Sequence, residues 1–191
     1  MKVCSLYNNW FSEADCDYIT KYADAVVSLR TATVGKQAVK EEKPKSRKGK
    51  TGFLFKNEPA QHELWNFLYS RLSDVLYDAN KKVYGFDLAG LNGLQYTVYE
   101  EGGDHYSWHT DVFFDNSPFQ RKLSVTLQLT NSNEYQGGDF QFLSSHEYTP
   151  EQFRTKGTAI VFPSFMSHRV TPVTSGTRKS IVAWFEGRRF H

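Results

Sequence analysis

Residues 94–130 read LQYTVYEEGGDHYSWHTDVFFDNSPFQRKLSVTLQLT, and this stretch determines the predicted fold. Its runs of apolar, aromatic and β-branched residues are interrupted by a Gly-Gly pair and by Asn-Ser-Pro, a pattern typical of strands joined by turns. Similar runs follow at 139–143, 158–162, 168–171 and 179–186. Many short strands behind a helical N-terminal part predict a mainly β protein, with a double-stranded β-helix (a jelly-roll or cupin-like barrel) supported by helices.

The N-terminal part favours helices that pack on this barrel. Ser12 is a suitable N-cap with Asp15 three residues later, and apolar residues then recur at helical spacing. A second helix is expected to begin near Pro59. Between the two helices lies a basic loop, residues 36–50, rich in Lys and Arg. This loop is either a solvated linker or a lid over the substrate, and the sequence leaves both interpretations open.

Length and composition indicate a single soluble domain. The chain has 191 residues, enough for one domain with a full core, and we assign helical support to residues 1–90 and the catalytic jelly-roll core to residues 91–190. A formal net charge of +2 does not favour a nucleic-acid partner. Two cysteines indicate neither a disulfide scaffold nor a zinc site. Because no stretch is typical of a signal peptide or membrane span, we expect a cytoplasmic protein without a membrane partner.

A candidate metal site begins with His109 and Asp111. Residues two apart on a strand face the same side, so one imidazole and one carboxylate would project together into the barrel. They are two of the three ligands of the 2-His-1-carboxylate triad, which leaves positions on Fe(II) open for a chelating co-substrate and dioxygen. His168, which follows an apolar strand, is the preferred third ligand. The alternative is His146, which lies in a polar stretch and is followed by Lys156.

Arg178 lies ten residues after His168 and begins a run in which it shares one strand face with Ser180, Val182 and Trp184. A guanidinium group can bind a carboxylate through two parallel hydrogen bonds, and a neighbouring hydroxyl can add another. Arg178 is therefore the candidate ligand for the distal carboxylate of 2-oxoglutarate.

Four motifs occur in a fixed order: Gln95-Tyr96-x-x-Tyr99, His109-x-Asp111, Tyr135-x-Gly137-Gly138-x-Phe140, and His168-x-Val170-x-Pro172-Val173-x-x-Gly176-x-Arg178-x-Ser180. In this order and spacing, the chain resembles the prolyl 4-hydroxylase branch of the 2-oxoglutarate/Fe(II) dioxygenases. It is particularly similar to the compact PKHD-type hydroxylases of bacteria and phages. The resemblance covers about residues 84–187, and the N-terminal third matches less distinctly.

The resemblance implies that His109, Asp111 and His168 bind Fe(II), and that Arg178 pairs with the C5 carboxylate of 2-oxoglutarate. The implied reaction consumes O2 and 2-oxoglutarate, releases succinate and CO2, and hydroxylates an unactivated C–H bond. Ascorbate is the expected reductant.

The resemblance also implies roles for further residues around the co-substrate. Tyr99 occupies the place of a tyrosine whose hydroxyl contacts the co-substrate in the family, and Trp184 the place of an aromatic residue in the active-site wall. Gln128 stands where some relatives carry a different side chain beside the co-substrate. This departure leaves the second partner of the C5 carboxylate open, and Ser180 is a possible substitute.

The family implies a prolyl residue of a peptide or protein as the substrate. Tyr106, Trp108, Phe113 and Phe114 flank the metal motif and could form an apolar ledge for a proline ring. Two alternatives remain: hydroxylation of a free amino acid or other small molecule, and a cupin-like protein that binds a metal or ligand without turnover.

Overall fold

The computed structural model of the chain describes residues 2–32, 46–112, 115–143 and 148–190. In chain order the strands and α-helices are β1 (Ser5–Tyr7), α1 (Glu13–Val26), β2 (Arg30–Thr31), β3 (Arg47–Lys48), β4 (Lys50–Leu54), α2 (His62–Ala79), β5 (Gly90–Glu100), β6 (His105–His109), β7 (Phe119–Gln128), β8 (Tyr135–Gly137), β9 (Phe140–Phe142), β10 (Ala159–Pro163), β11 (His168–Val170) and β12 (Val173–Arg188). Short helical turns lie at Pro59–Gln61, Asn80–Tyr84 and Pro150–Phe153.

The strands form two antiparallel sheets that enclose a cavity, which confirms the predicted double-stranded β-helix. The major sheet has the order β1-β10-β7-β12-β5-β4-β2, with β8 added beside β12. The minor sheet has the order β3-β6-β11-β9. The long strand β12 pairs with β5 on one side and with β7 on the other, so it lies at the centre of the major sheet.

Both α-helices pack on the outer face of the major sheet. The capping box predicted for α1 is present, because the Ser12 hydroxyl accepts a hydrogen bond from the Asp15 N–H and the Asp15 carboxylate accepts one from the Ser12 N–H. The turn that begins at Pro59 leads into α2, as predicted. Neither helix within the described ranges carries a stretch long and apolar enough to cross a membrane. The helices share one core with the sheet, formed by Ile19, Leu64, Leu68, Leu72, Val125, Leu127, Ile181 and Phe185 among others.

Side chains along β12 alternate between this core and the cavity. Ile181, Ala183 and Phe185 face the helices. The alternate residues of β12 line the cavity. They are the residues predicted to share a face, namely Arg178, Ser180, Val182 and Trp184. One strand therefore contributes both to the core and to the candidate site.

The N-terminal part contains more than the predicted helical support. β1 pairs with β10, β2 and β4 extend the major sheet beyond β5, and β3 pairs with β6 in the minor sheet. Strands of two to five residues are too short for an alternating pattern to be recognised in the sequence. Within the basic loop, residues 46–50 reach β3 and the start of β4, whereas residues 36–45 lie outside the described residues.

Candidate metal and co-substrate site

His109, Asp111 and His168 come together at one end of the cavity. His109 ends β6 and His168 begins β11, and the two are direct partners across the minor sheet. Asp111 follows β6 by two residues, and its carboxylate oxygens lie 3.7 Å from the Nε2 atom of each histidine. One potential ligand atom from each residue lies within 4.8 Å of the other two. The preference for His168 as the third member therefore agrees with the geometry.

Backbone carbonyls fix the orientation of both imidazole rings. The Nδ1 of His109 lies 2.8 Å from the Ser107 carbonyl oxygen, and the Nδ1 of His168 lies 2.9 Å from the Met166 carbonyl oxygen. With the proton on Nδ1 donated to the carbonyl, each ring presents the lone pair of Nε2 toward Asp111. Such outer hydrogen bonds set the tautomer of metal-binding histidines.

The Asp111 carboxylate is held by Ser124, which itself contacts Ser164. The Ser124 hydroxyl donates to Asp111 at 2.7 Å and lies 2.9 Å from the Ser164 hydroxyl. Burial alone would raise the pKa of Asp111, but His168, His109 and the Ser124 hydrogen bond outweigh it and hold that pKa below its ordinary value. Asp111 is therefore an anion at neutral pH.

His109 is neutral under the same conditions. Burial and the neighbouring His168 lower the pKa of His109 to about 4. The Tyr106 ring stacks on the His109 ring with 3.4 Å between centroids, and it limits the movement of the imidazole. On the other side, Phe162 packs edge-on against His168 at 4.8 Å. The site thus combines the neutral imidazole of His109 and the imidazole of His168 with one carboxylate.

This donor set fits Fe(II). Two imidazole nitrogens and one carboxylate oxygen form the facial arrangement typical of non-haem iron oxygenases, and the charge of a divalent cation would be partly balanced by Asp111. All three donors border a cavity of about 790 Å³, which leaves room for further ligands on the open side.

Arg178 lies in the wall of the same cavity and is only 2% exposed. Its Nη2 donates to the Oε1 of Gln128 at 2.8 Å, and its neighbour across the strand pair is Tyr99, which also lines the cavity. Gly138 packs beside it, because a Cβ atom there would lie 3.2 Å from the Arg178 Cδ. No ion pair to Arg178 forms within the described ranges, so a dicarboxylate is a suitable partner for its charge.

The other residues predicted near the co-substrate take different places. Ser180 is buried and lines the cavity beside Arg178. Gln128 is buried next to Arg178, and its Nε2 has no hydrogen-bond partner among the described residues. Gln128 is not part of the cavity lining. Its hydrogen bond goes to Arg178, which does line the cavity.

Among the predicted aromatic wall residues, Trp184 and Tyr106 line the cavity but Trp108 does not. Trp108 is 39% exposed and its ring lies under the guanidinium group of Arg169, 4.5 Å away. It alternates with His109 along β6 and therefore points to the opposite face. The proposed ledge thus lacks Trp108, and Phe113 and Phe114 lie outside the described residues.

The described residues include one member of the competing pair. His146 lies outside the described residues, and Lys156 forms an ion pair with Asp17 on α1. Sequence reasoning also missed two arginines that line the cavity. Arg47 of β3 lies over the Tyr106 ring at 4.3 Å, and Arg121 of β7 lies over the Trp184 ring at 3.9 Å. No local motif indicates either residue, because β3 is part of a basic run and Arg121 belongs to no motif.

Comparisons with known proteins find similarity over this part of the chain. Residues 94–186 match the model described as the 2OG-Fe(II) oxygenase superfamily. A PKHD-type hydroxylase of Synechococcus sp. strain CC9605 is 37% identical over 84 residues, which are 44% of this chain and 37% of that protein. One of Colwellia psychrerythraea strain 34H is 38% identical over 88 residues, 44% of this chain and 38% of that protein. The match therefore spans less than two fifths of these relatives.

Solved structures share the fold over nearly the whole chain. The viral collagen prolyl hydroxylase of Paramecium bursaria Chlorella virus-1, in its 2OG complex, superposes with a TM-score of 0.68 at 18% identity, covering 97% of each chain. A prolyl-4-hydroxylase of Pseudomonas putida gives 0.68 at 21% identity, with 98% of this chain and 93% of that chain covered. A Trichoplax adhaerens prolyl hydroxylase, in complex with a peptide of hypoxia inducible factor, gives 0.71 at 18% identity, with 95% and 82% covered.

Proposed function

Since residues 94–186 match the model of the 2OG-Fe(II) oxygenase superfamily, we propose that the chain is an Fe(II)- and 2-oxoglutarate-dependent dioxygenase that hydroxylates a prolyl residue of a peptide or protein. One observation carries this proposal. The three potential ligands His109, Asp111 and His168 border a single cavity together with Arg178, which forms no ion pair with any described residue, although three separate segments contribute them. A protein that only binds a metal has no need of a buried guanidinium group in the same cavity.

Each of these groups has a task in the proposed reaction. Bound Fe(II) would supply the redox chemistry that couples conversion of 2-oxoglutarate and O2 to succinate and CO2 with hydroxylation of the substrate. His109, Asp111 and His168 would hold the metal on one side only. Arg178 would orient the co-substrate by its C5 carboxylate, with Gln128 holding the guanidinium in place and Ser180 and Tyr99 as neighbouring hydroxyl donors.

The remaining cavity wall would receive the substrate. Trp184 and Val182 provide apolar surface on β12, and Tyr106 provides an aromatic face beside His109. A prolyl ring is apolar and compact, so it suits such a wall. The prolyl assignment is supported by the names of the similar proteins, among them a collagen prolyl hydroxylase and a prolyl-4-hydroxylase.

The test starts with cofactor binding. Protein mixed with Fe(II) and 2-oxoglutarate without oxygen should develop the weak visible absorption of a metal chelate, and with oxygen it should release succinate. Asp111→Ala should lose both while keeping its thermal unfolding transition, because two imidazoles alone hold a labile divalent ion poorly. Asp74→Ala, which removes an exposed carboxylate from α2, is the matched control and should behave as wild type.

Substrate class is tested separately by mass spectrometry of proline-containing peptides, free proline and other amino acids after incubation. A gain of one oxygen atom on a prolyl residue supports the proposal. Oxygen gain on free amino acids alone would contradict the peptide assignment. An Asp111→Ala protein that binds iron and turns over like wild type would contradict the metal site itself.

A further inference from the structure

Three aromatic rings form a ladder that leads out of the cavity. The innermost, Trp184, is 5% exposed and lines the cavity; the next, Phe53, also lines the cavity and is 44% exposed. The outermost, Phe55, is 61% exposed and lies beyond the cavity lining. Ring centroids are 6.4 Å apart between Trp184 and Phe53, and 6.5 Å apart between Phe53 and Phe55. We call these three residues the aromatic ladder.

The backbone under the ladder is fixed by the fold. Phe53 belongs to β4, which pairs with β5, and the Phe55 N–H donates to the buried Gln61 side chain at 2.8 Å. Gln61 in turn donates to the Val26 carbonyl at the end of α1. The large exposed area of Phe55 therefore does not reflect a frayed strand end, because its backbone is held at the same place by two elements.

The exposure of the ladder is unusual because it is continuous with the cavity. Single exposed apolar side chains are common on protein surfaces and need no explanation. Here, however, exposure increases stepwise from the wall that would hold the target residue to the solvent. A ligand confined to the cavity would contact Trp184 and Phe53 and would leave Phe55 in water.

The spacing of the rings matches an extended polypeptide. In an extended chain, residues two apart face the same side and are about 6.6 Å apart. The ring separations of 6.4 and 6.5 Å are close to this repeat. A chain running along the ladder from the cavity can therefore place alternate side chains on successive rings, and aromatic faces are typical partners of proline and other apolar side chains in extended peptides.

We propose that the aromatic ladder is a docking track for the polypeptide that carries the target residue, and that it binds the segment on one side of that residue in extended form. This inference rests on the proposed function and narrows it. The substrate is a peptide or protein segment with an apolar residue two and four positions from the target, and a free amino acid cannot use the track.

The experiment compares binding and turnover for two peptides. Both contain one proline; the short peptide has a single residue on each side, and the long peptide adds four residues on both sides, with apolar residues at the alternate positions. Titration calorimetry in anaerobic buffer containing Fe(II) and 2-oxoglutarate gives the Kd, and succinate release in air gives kcat/KM. The variants are Phe55→Ala and the control Tyr77→Ala, whose exposed ring contacts Phe185 on the opposite face of the major sheet.

Wild type and Tyr77→Ala should bind the long peptide at least tenfold more tightly than the short one. Phe55→Ala should reduce that preference about threefold or more, because it removes the outermost aromatic contact of the track. Peptides extended on only one side then identify the direction of the track. Equal Kd values of wild type for the long and short peptides would contradict the proposed docking track. An unchanged preference for the long peptide in Phe55→Ala would contradict it as well.

The two measurements distinguish failure of the docking track from failure of the proposed reaction. If the long peptide binds with the expected preference but no succinate is released, the track stands and the proposed function fails. If succinate is released with both peptides at equal kcat/KM and Kd, the proposed function stands and the track fails.

Discussion

Replacement of Arg178 tests the placement of the co-substrate most directly. Arg178 is 2% exposed, and among the described residues its guanidinium donates to Gln128 at 2.8 Å, which leaves further N–H groups for a ligand in the cavity. A charge-assisted contact in such a dry place contributes about 2–5 kcal/mol when one partner is removed. Because about 1.4 kcal/mol corresponds to a factor of ten, Arg178→Ala should raise the 2-oxoglutarate requirement roughly 30-fold to several thousand-fold.

The assay is a titration of 2-oxoglutarate against succinate release, with iron content measured in parallel. Iron affinity should change little, since Arg178 is not among the three clustered ligands. Arg178→Lys should recover only part of the loss, because an ammonium group keeps the charge but lacks the planar pair of donors. The control is Arg169→Ala, which removes an arginine that adjoins His168 and bonds to Gln141 away from the cavity.

Two outcomes would refute this reasoning. If Arg178→Ala titrates like wild type with its iron retained, another residue holds the C5 carboxylate. If Arg169→Ala shows the same loss as Arg178→Ala, the effect is one of general stability and says nothing about the co-substrate.

Two further predictions concern the metal ligands. The pKa of His109 falls from 6.5 to about 4 on folding, so the unfolded chain takes up a proton first as the pH drops. The free energy of unfolding of the metal-free protein should therefore decline as the pH falls from about 6.5 to about 4. Urea unfolding across this pH range measures the decline, and a His109→Asn variant with an undiminished slope would assign it elsewhere. Ser124→Ala removes the 2.7 Å hydrogen bond to Asp111 and should weaken iron binding about tenfold or more, as measured by competition with a chelator; an unchanged affinity would show that Ser124 does not orient the carboxylate.

The clustering of His109 with Asp111 was predictable because the signal is local in sequence. His109 and Asp111 are two residues apart, and the carboxylate lies within 3.7 Å of both imidazoles. The face of Arg178, Ser180 and Trp184 was equally predictable, because alternation along one long strand fixes which side chains point together.

Residues that depend on sheet pairing could not be predicted in this way. Arg47 enters the cavity because β3 pairs with β6, and Ser124 reaches Asp111 across a gap of thirteen residues. For Trp108 the prediction was wrong in the other direction. Its proximity to His109 in sequence suggested that it lines the cavity, whereas strand alternation places it on the other face of β6. Local spacing indicates candidate metal ligands, but the sheet topology determines which other residues surround them.

The order of strands in the major sheet also constrains how the nascent chain can fold. Ser5 of β1 pairs with Val161, which is synthesised roughly eight to thirty seconds after it at 5–20 residues per second. β12 follows β5 and β7 in the chain and lies between them in the sheet, so these two strands have no shared neighbour until β12 has been synthesised. The centre of the major sheet therefore forms only after β12 has been synthesised, through contacts distant in sequence, and such contacts slow folding. Until then the open edges of β5 and β7 are available to other chains, and the growing polypeptide depends on chaperones or on rapid completion to avoid aggregation.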